Sequence, residues 1–282
     1  MTESSEVVQK IAEMTENLEP MPPIAAKVME IVGDPDTSCE MLAAVIARDP
    51  VIASKVLSLS NTPYYRRVES ITSLNMAVMI LGFGTIQSLV LTISVGILFG
   101  RSRRAEIISR IWEHSVATAL ISEILGKRLS LPNQERYYIA GLLHDVGKLV
   151  LCKSFPDRYR EILRKSHQEG IAGFEAERGE FGFDHTQVGK AVLEKWYLPE
   201  DYHGPAANHH DLANLEATEI ISPLVHVADC IAHDIVGHDD ETTRSPDPAA
   251  RQRLGLEEVD ITDITAENRE VVLENLHLMV CS

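Results

Sequence analysis

The sequence is poor in the signals of several protein classes. Its four cysteines, Cys39, Cys152, Cys230 and Cys281, are scattered singly. None has the Cys-x-x-Cys spacing of a zinc or redox motif, so free thiols are expected, with those on apolar helices buried as small hydrophobes. Alternating apolar and polar runs are scarce, and no Asn-Gly or Asp-Gly pair separates two apolar segments, which argues against a sheet built from hairpins. Positive charge is short too. A formal net charge of -16 opposes broad contact with phosphate backbones or anionic lipid, so neither nucleic acid nor a membrane surface is expected as a partner. The compact basic spots, Arg66-Arg67 beside Tyr64-Tyr65 and Arg101 to Arg104, read as solvated turns. The first six residues, Met1 to Glu6, are acidic and polar with no basic stretch before an apolar core. A signal peptide is therefore not expected, and the cytoplasm is the expected compartment. No internal repeat is evident.

What is present suits a packed helical protein. At 282 residues and 45% hydrophobic content the chain can bury a substantial core, as one large lobe or two smaller ones. Residues 71 to 100 carry no charge, a length that could span a bilayer, but Asn75, Thr85, Gln87 and Ser88 interrupt the run and Gly82 and Gly84 break it. Two buried core helices are the reading. Asp49 can cap a helix that Pro50 begins, because the amide proline lacks would have gone unpaired there. Pro22 and Pro23 imply one helix ending near Asn17 and another starting near Ile24. Gly33 to Thr37 is a turn by composition. We expect an all-α protein with an N-terminal helical lobe at 1–104, a second helical lobe at 105–238, and a polar loop followed by a C-terminal helix at 239–282.

The second lobe carries an ordered set of metal-type donors. His114 is followed by His144-Asp145-Val146-Gly147-Lys148, then His185, the pair His209-His210, and Asp229. Imidazole nitrogen and carboxylate oxygen together suit Zn, Mn, Fe or Co, and adjacent His and Asp can supply two ligands from one turn. His144 and Asp145 are expected within an otherwise apolar helix, where unpaired polar groups are costly and coordination would satisfy them. Asp184 is placed to cap the helix that opens at His185. His238 and His277 lack any comparable context.

This order of stations, on segments that read as helices, resembles the HD-domain superfamily of metal-dependent phosphohydrolases. The preceding stretch resembles a narrower group, the HDOD domains, which are bacterial signalling modules. The proline-rich Leu18–Pro23, the Asp-Pro helix start within Ile46–Leu57, the Asn-centred Ser58–Tyr65 and the apolar helix Ile71–Gly82 ending in Leu-Gly carry that likeness. With Leu193–Pro199 and the donor stations it covers most of residues 18 to 235. The resemblance implies His114, His144, Asp145 and Asp229 around a first divalent ion and His185, His209 and His210 around a second, with Asp145 between them. Lys148, one turn after His144, would neutralise a substrate phosphate, which makes Asp145 and Lys148 the candidate catalytic pair.

Two departures bear on activity. The Gly-Tyr-Pro signature that follows the His-His pair in the HD-GYP hydrolases is absent, since His209-His210 continues as Asp211-Leu212-Ala213. Arg110 stands where that branch has a glutamate one turn before its first histidine. The expected function is thus a regulatory module with a retained one- or two-ion metal site, acting through a signalling protein partner or a small phosphate-containing ligand. The alternative is a metal-dependent phosphohydrolase acting on a nucleotide or cyclic dinucleotide.

Overall fold

In the computed structural model the described residues are 3–16, 18–65, 70–100, 106–213, 215–216, 218–237 and 245–280. Arg66-Arg67, Arg101 to Arg104, His238 with most of the polar loop after it, and Cys281 fall outside them. Sixteen α-helices and no strand occur among the described residues, so the chain is all-α. In order they are α1 (Glu3–Glu16), α2 (Pro23–Val32), α3 (Cys39–Ile46), α4 (Pro50–Ser60), α5 (Leu74–Leu81), α6 (Phe83–Gly100), α7 (Glu106–Arg128), α8 (Gln134–Leu143), α9 (Val146–Ser154), α10 (Pro156–Glu169), α11 (Gly173–Phe181), α12 (His185–Lys195), α13 (Glu200–Asn208), α14 (Ile221–Val236), α15 (Pro248–Leu254) and α16 (Glu258–Val280). None of the described helices is long and apolar enough to cross a membrane.

The chain divides into two compact units, residues 21–102 with 273–282, and residues 1–20 with 103–272. In the first, the charge-free stretch becomes α5 and α6, parted at Gly82, whose φ of +83° favours a residue without a Cβ. Ile86, Leu89, Val90 and Leu91 are buried. Asp49 caps α4 by accepting from the amides of Val51 and Ile52, with Pro50 as its first residue. The Asn61 side chain closes the loop beyond, donating to Leu57 O and Ile71 O while accepting from the Ile71 amide.

The second unit includes α1, which differs from the expected division at residue 104. The reason is tertiary: Lys195 donates to Thr15 O and Glu16 O at the end of α1, and the Trp196 indole donates to Glu19 O. A cation on the last carbonyls of a helix satisfies acceptors that have no partner within it. At the centre of this unit α7 packs against α8 and α14, burying Val116, Ala117, Leu120, Ile121 and Leu125. The α7–α8 approach depends on Gly141, where a Cβ would lie 2.5 Å from Ser122 Oγ and 2.8 Å from Thr118 O. That proximity brings the end of α8 to the face of α7 that carries His114.

Candidate metal centre

His144 and Asp145 lie at a helix junction and not inside an apolar helix, which corrects the expectation above. His144 ends α8 and Asp145, with φ -102° and ψ 14°, precedes the first residue of α9. Just past the junction, Gly147 permits a close helix contact. A Cβ there would sit 2.0 Å from His185 O and 2.8 Å from the Gly189 amide, so only glycine lets the start of α9 run against α12. The same close approach sets Asp145 beside His185. Asp184 caps α12 as expected, its side chain accepting from the Thr186 and Gln187 amides.

Every donor singled out in the sequence converges within this unit. His114 Nε2 lies 2.8 Å from Asp229 Oδ1, although 115 residues separate them. His144 Nε2 lies 3.3 Å from Asp145 Oδ2 and 3.6 Å from Asp229 Oδ1. On the other oxygen, Asp145 Oδ1 is 3.4 Å from His185 Nε2 and 3.6 Å from His209 Nε2. The Asp145 carboxylate thus turns one oxygen to His114, His144 and Asp229 and the other to the second set of histidines. Three groups have ligand atoms within 4.8 Å of one another: His114 with His144 and Asp229; His144 with Asp145 and His209; and His185 with His209 and His210. Lys148 Nζ sits 3.0 Å from Asp145 Oδ2. His210 stacks on Phe174, ring centroids 4.7 Å apart.

The hydrogen bonds around the histidines determine which nitrogen faces inward. His144 Nδ1 is 2.7 Å from Gly141 O, His209 Nδ1 is 3.0 Å from Pro205 O, and His185 Nδ1 is 2.7 Å from Glu177 Oε2. Each of these acceptors takes a proton from Nδ1, which turns Nε2 into the centre, as a donor where the ring is protonated and as a lone pair where it is not. His144 Nε2 and Asp145 Oδ1 are buried without a hydrogen-bond partner among the described residues, while Asp145 Oδ2 is met by the Lys148 ammonium. Buried groups left unsatisfied are costly, and inward-facing Nε2 atoms around a buried carboxylate fit a divalent cation. A bound ion would lie among His114, His144, Asp145 and Asp229, and a second among His185, His209, His210 and Asp145.

Charge is strongly coupled here. Burial opposes ionisation of His144, but the Asp145 and Asp229 carboxylates outweigh it and push its pKa up to about 10. Burial likewise opposes the charge on Asp145, and His144 and Lys148 hold it well below the usual carboxylate range. Asp229, buried too, is held low by His114 and His144. Burial lowers His114 and His209, and burial with the neighbouring His209 and His185 drives His210 well down. A divalent ion would stand where two carboxylates now hold a proton.

Several residues of the centre escaped the sequence reading. Glu177, on α11, is 1% exposed and accepts from His185. Its signal is faint: it lies three residues after Phe174 and four before the buried Phe181, on the apolar side of a helix rich in glutamate. Thr118 places its hydroxyl 3.4 Å from His114 Nε2. His233, four residues after Asp229 on α14 and so on the same face, has its ring 5.1 Å from that of His114. Arg110 pairs with Glu106 at 2.6 Å.

Comparison with known proteins bears on the family and the fold. A family model described as HDOD domain matches residues 18–212. An uncharacterized protein of Treponema pallidum is 21% identical over 227 residues, 79% of this chain and 43% of that protein, so the chain spans under half the length of this relative. Among solved structures, an HDOD domain protein with unknown function from Geobacter sulfurreducens is 24% identical with a TM-score of 0.78, covering 96% of this chain and 98% of that one. A Marinobacter aquaeolei protein provisionally described as a signal transduction protein gives 0.79 at 20% identity, with 98% of this chain and 65% of that one covered. A Shewanella amazonensis protein provisionally described as a metal-dependent phosphohydrolase gives 0.66 at 21%, with coverages of 99% and 98%. At such identities these structures share the fold.

Proposed function

This chain belongs to the HDOD domain family, and we propose that it is a regulatory module whose His/Asp centre holds divalent metal and whose output is the binding of a signalling partner or a small phosphate-containing ligand. The observation that carries this reading is burial. His144, Asp145, His185 and His209 are at most 1% exposed, the Asp229 side chain is 13% exposed and His210 is half-buried. A catalytic metal site keeps an open position that substrate can reach, whereas a structural or sensory site is closed by its protein ligands. A cytoplasmic location is part of the same proposal.

A second reading, a phosphohydrolase, is favoured by Lys148, whose ammonium stands 3.0 Å from Asp145 and is suited to a phosphate oxygen. When bound, divalent ions supply Lewis acidity for phosphoryl transfer. His114, His144, Asp229 and the second histidine set would hold them, Asp145 would lie between the two, and Lys148 would orient the phosphate. The test measures metal content of protein purified without chelator, then turnover of bis-p-nitrophenyl phosphate and of cyclic dinucleotides with Mn. We expect at least one ion per chain and no turnover beyond that of Asp145→Asn. Turnover that Asp145→Asn abolishes would reverse the ranking.

A further inference from the structure

His185 differs from the other inward-facing histidines in what holds it. His144 and His209 give their Nδ1 protons to backbone carbonyls, of Gly141 and Pro205. His185 gives its own to a side-chain carboxylate, Glu177 Oε2, at 2.7 Å, and the same oxygen accepts the His185 backbone amide at 2.7 Å. The remaining Glu177 oxygen, Oε1, accepts the Tyr159 hydroxyl at 2.9 Å. Glu177, Tyr159 and His185 are each at most 1% exposed. Tyr159 comes from α10 and Glu177 from α11, so two helices that supply no direct donor fix one ring of α12.

We propose that Glu177 is a positioning residue for the second metal position, holding His185 as an Nε2 donor and adding negative charge behind a position that otherwise has only the shared Asp145 carboxylate. This rests on the metal reading above and deepens it. The two positions are unequal in charge. Asp229 and Asp145 both reach the first, whereas the group of His185, His209 and His210 has only the shared Asp145 Oδ1 within reach. A carboxylate behind a ligating histidine orients the ring and makes it a stronger donor, and loss of such a partner weakens metal affinity by about 10- to 100-fold. Backbone carbonyls do the first task and do less of the second. The three donors on Glu177 also leave it little freedom to turn, so the ring it holds is fixed before an ion arrives.

The test is Glu177→Gln in the full chain, because glutamine keeps an acceptor for His185 and can pair its amide nitrogen with the Tyr159 oxygen. Zinc and cobalt are titrated into chelator-stripped protein, with stoichiometry read by mass spectrometry of the metal and the cobalt ligand-field bands read by absorbance. We expect wild type to take two ions. In Glu177→Gln the weaker site should lose about 10- to 100-fold in affinity with altered cobalt bands, while the tighter site and the helical circular dichroism stay unchanged. Glu177→Asp should restore part of the loss. Wild type holding two ions with Glu177→Gln matching it at both overturns this inference and leaves the metal reading intact, as does equal weakening of both sites, which would mark a general structural role. A wild type that holds fewer than two ions overturns the inference together with the two-ion reading.

Discussion

His185 and His209 face one another Nε2 to Nε2 at 3.3 Å, each with its Nδ1 committed to an acceptor elsewhere. Two lone pairs at that separation repel unless a proton or a cation lies between them. Burial works against a charge on His185, but Glu177 outweighs it and raises its pKa, so a proton can fill this gap between α12 and α13 and a cation would take its place.

Metal should therefore stabilise the fold. A ligand at about 100 times its Kd adds roughly 2.7 kcal/mol to a folded state that alone binds it. Thermal unfolding with Zn, Co or Mn, compared with chelator, should show a clear rise. An unchanged midpoint for all three ions would count against a site.

The pH dependence of binding and of metal-free stability should run in opposite directions. In the metal-free chain the His144 pKa is raised from 6.5 to about 10, so its charge contributes stability that is complete below pH 6.5 and lost as pH rises through about 10. The same proton competes with an ion, so apparent metal affinity should climb over that interval, with at least one proton released per ion bound. Titration calorimetry in buffers of different ionisation enthalpy counts those protons. Binding without proton release would contradict the coupling.

Asp145 also neutralises Lys148 and His144. In chelator, Asp145→Ala should cost about 3–5 kcal/mol, since it strands buried cations. Adding Lys148→Met should recover part of that loss by removing one of them. Urea unfolding of both variants decides it: a double variant no more stable than the single one would mean that the pair at 3.0 Å is not energetically coupled.

Gly147→Ala should damage both stability and metal binding. Its new methyl would meet backbone atoms, His185 O and the Gly189 amide, and not a yielding side-chain tip. We expect a loss on the order of 3 kcal/mol, the upper part of the usual overpacking range, with reduced metal content in whatever remains folded. Wild-type stability and metal content together would show that the α9–α12 approach is looser than described.

Tyr197 offers the opposite case. It occupies the left-handed position after α12 with φ +57°, in a turn closed by Leu198 N to Leu193 O and Tyr197 N to Glu194 O, and its side chain is 94% exposed. This is a position where glycine costs least. Tyr197→Gly should raise stability by roughly 0.5–1 kcal/mol, the relief of left-handed strain less the added unfolded-state entropy. A loss of stability would show that the tyrosine makes a contact worth more than its strain.

The amino-acid sequence by itself determined the all-helical character and several helix ends. Asp49 with Pro50, Asp184 before His185, and Gly82 between α5 and α6 act on backbone groups within four residues, which is the range over which capping and helical periodicity operate. The histidines and aspartates that converge were singled out by residue type and order along the chain, and His144 and Asp145 also because polar groups on an apolar segment are costly unless paired. Tertiary structure alone decided the rest. That the start of α9 runs against α12 depends on Gly147, a contact made with a segment nearly forty residues away in the sequence, as Gly147 and His185 show. Which nitrogen His185 turns inward depends on Glu177 being where the packing of α11 and α12 puts it, whereas His144 and His209 give Nδ1 to carbonyls three and four residues back in their own helices. Glu177 was hidden among other glutamates because its role is set by what surrounds it, and only the packing of α10, α11 and α12 buries this one carboxylate against a histidine.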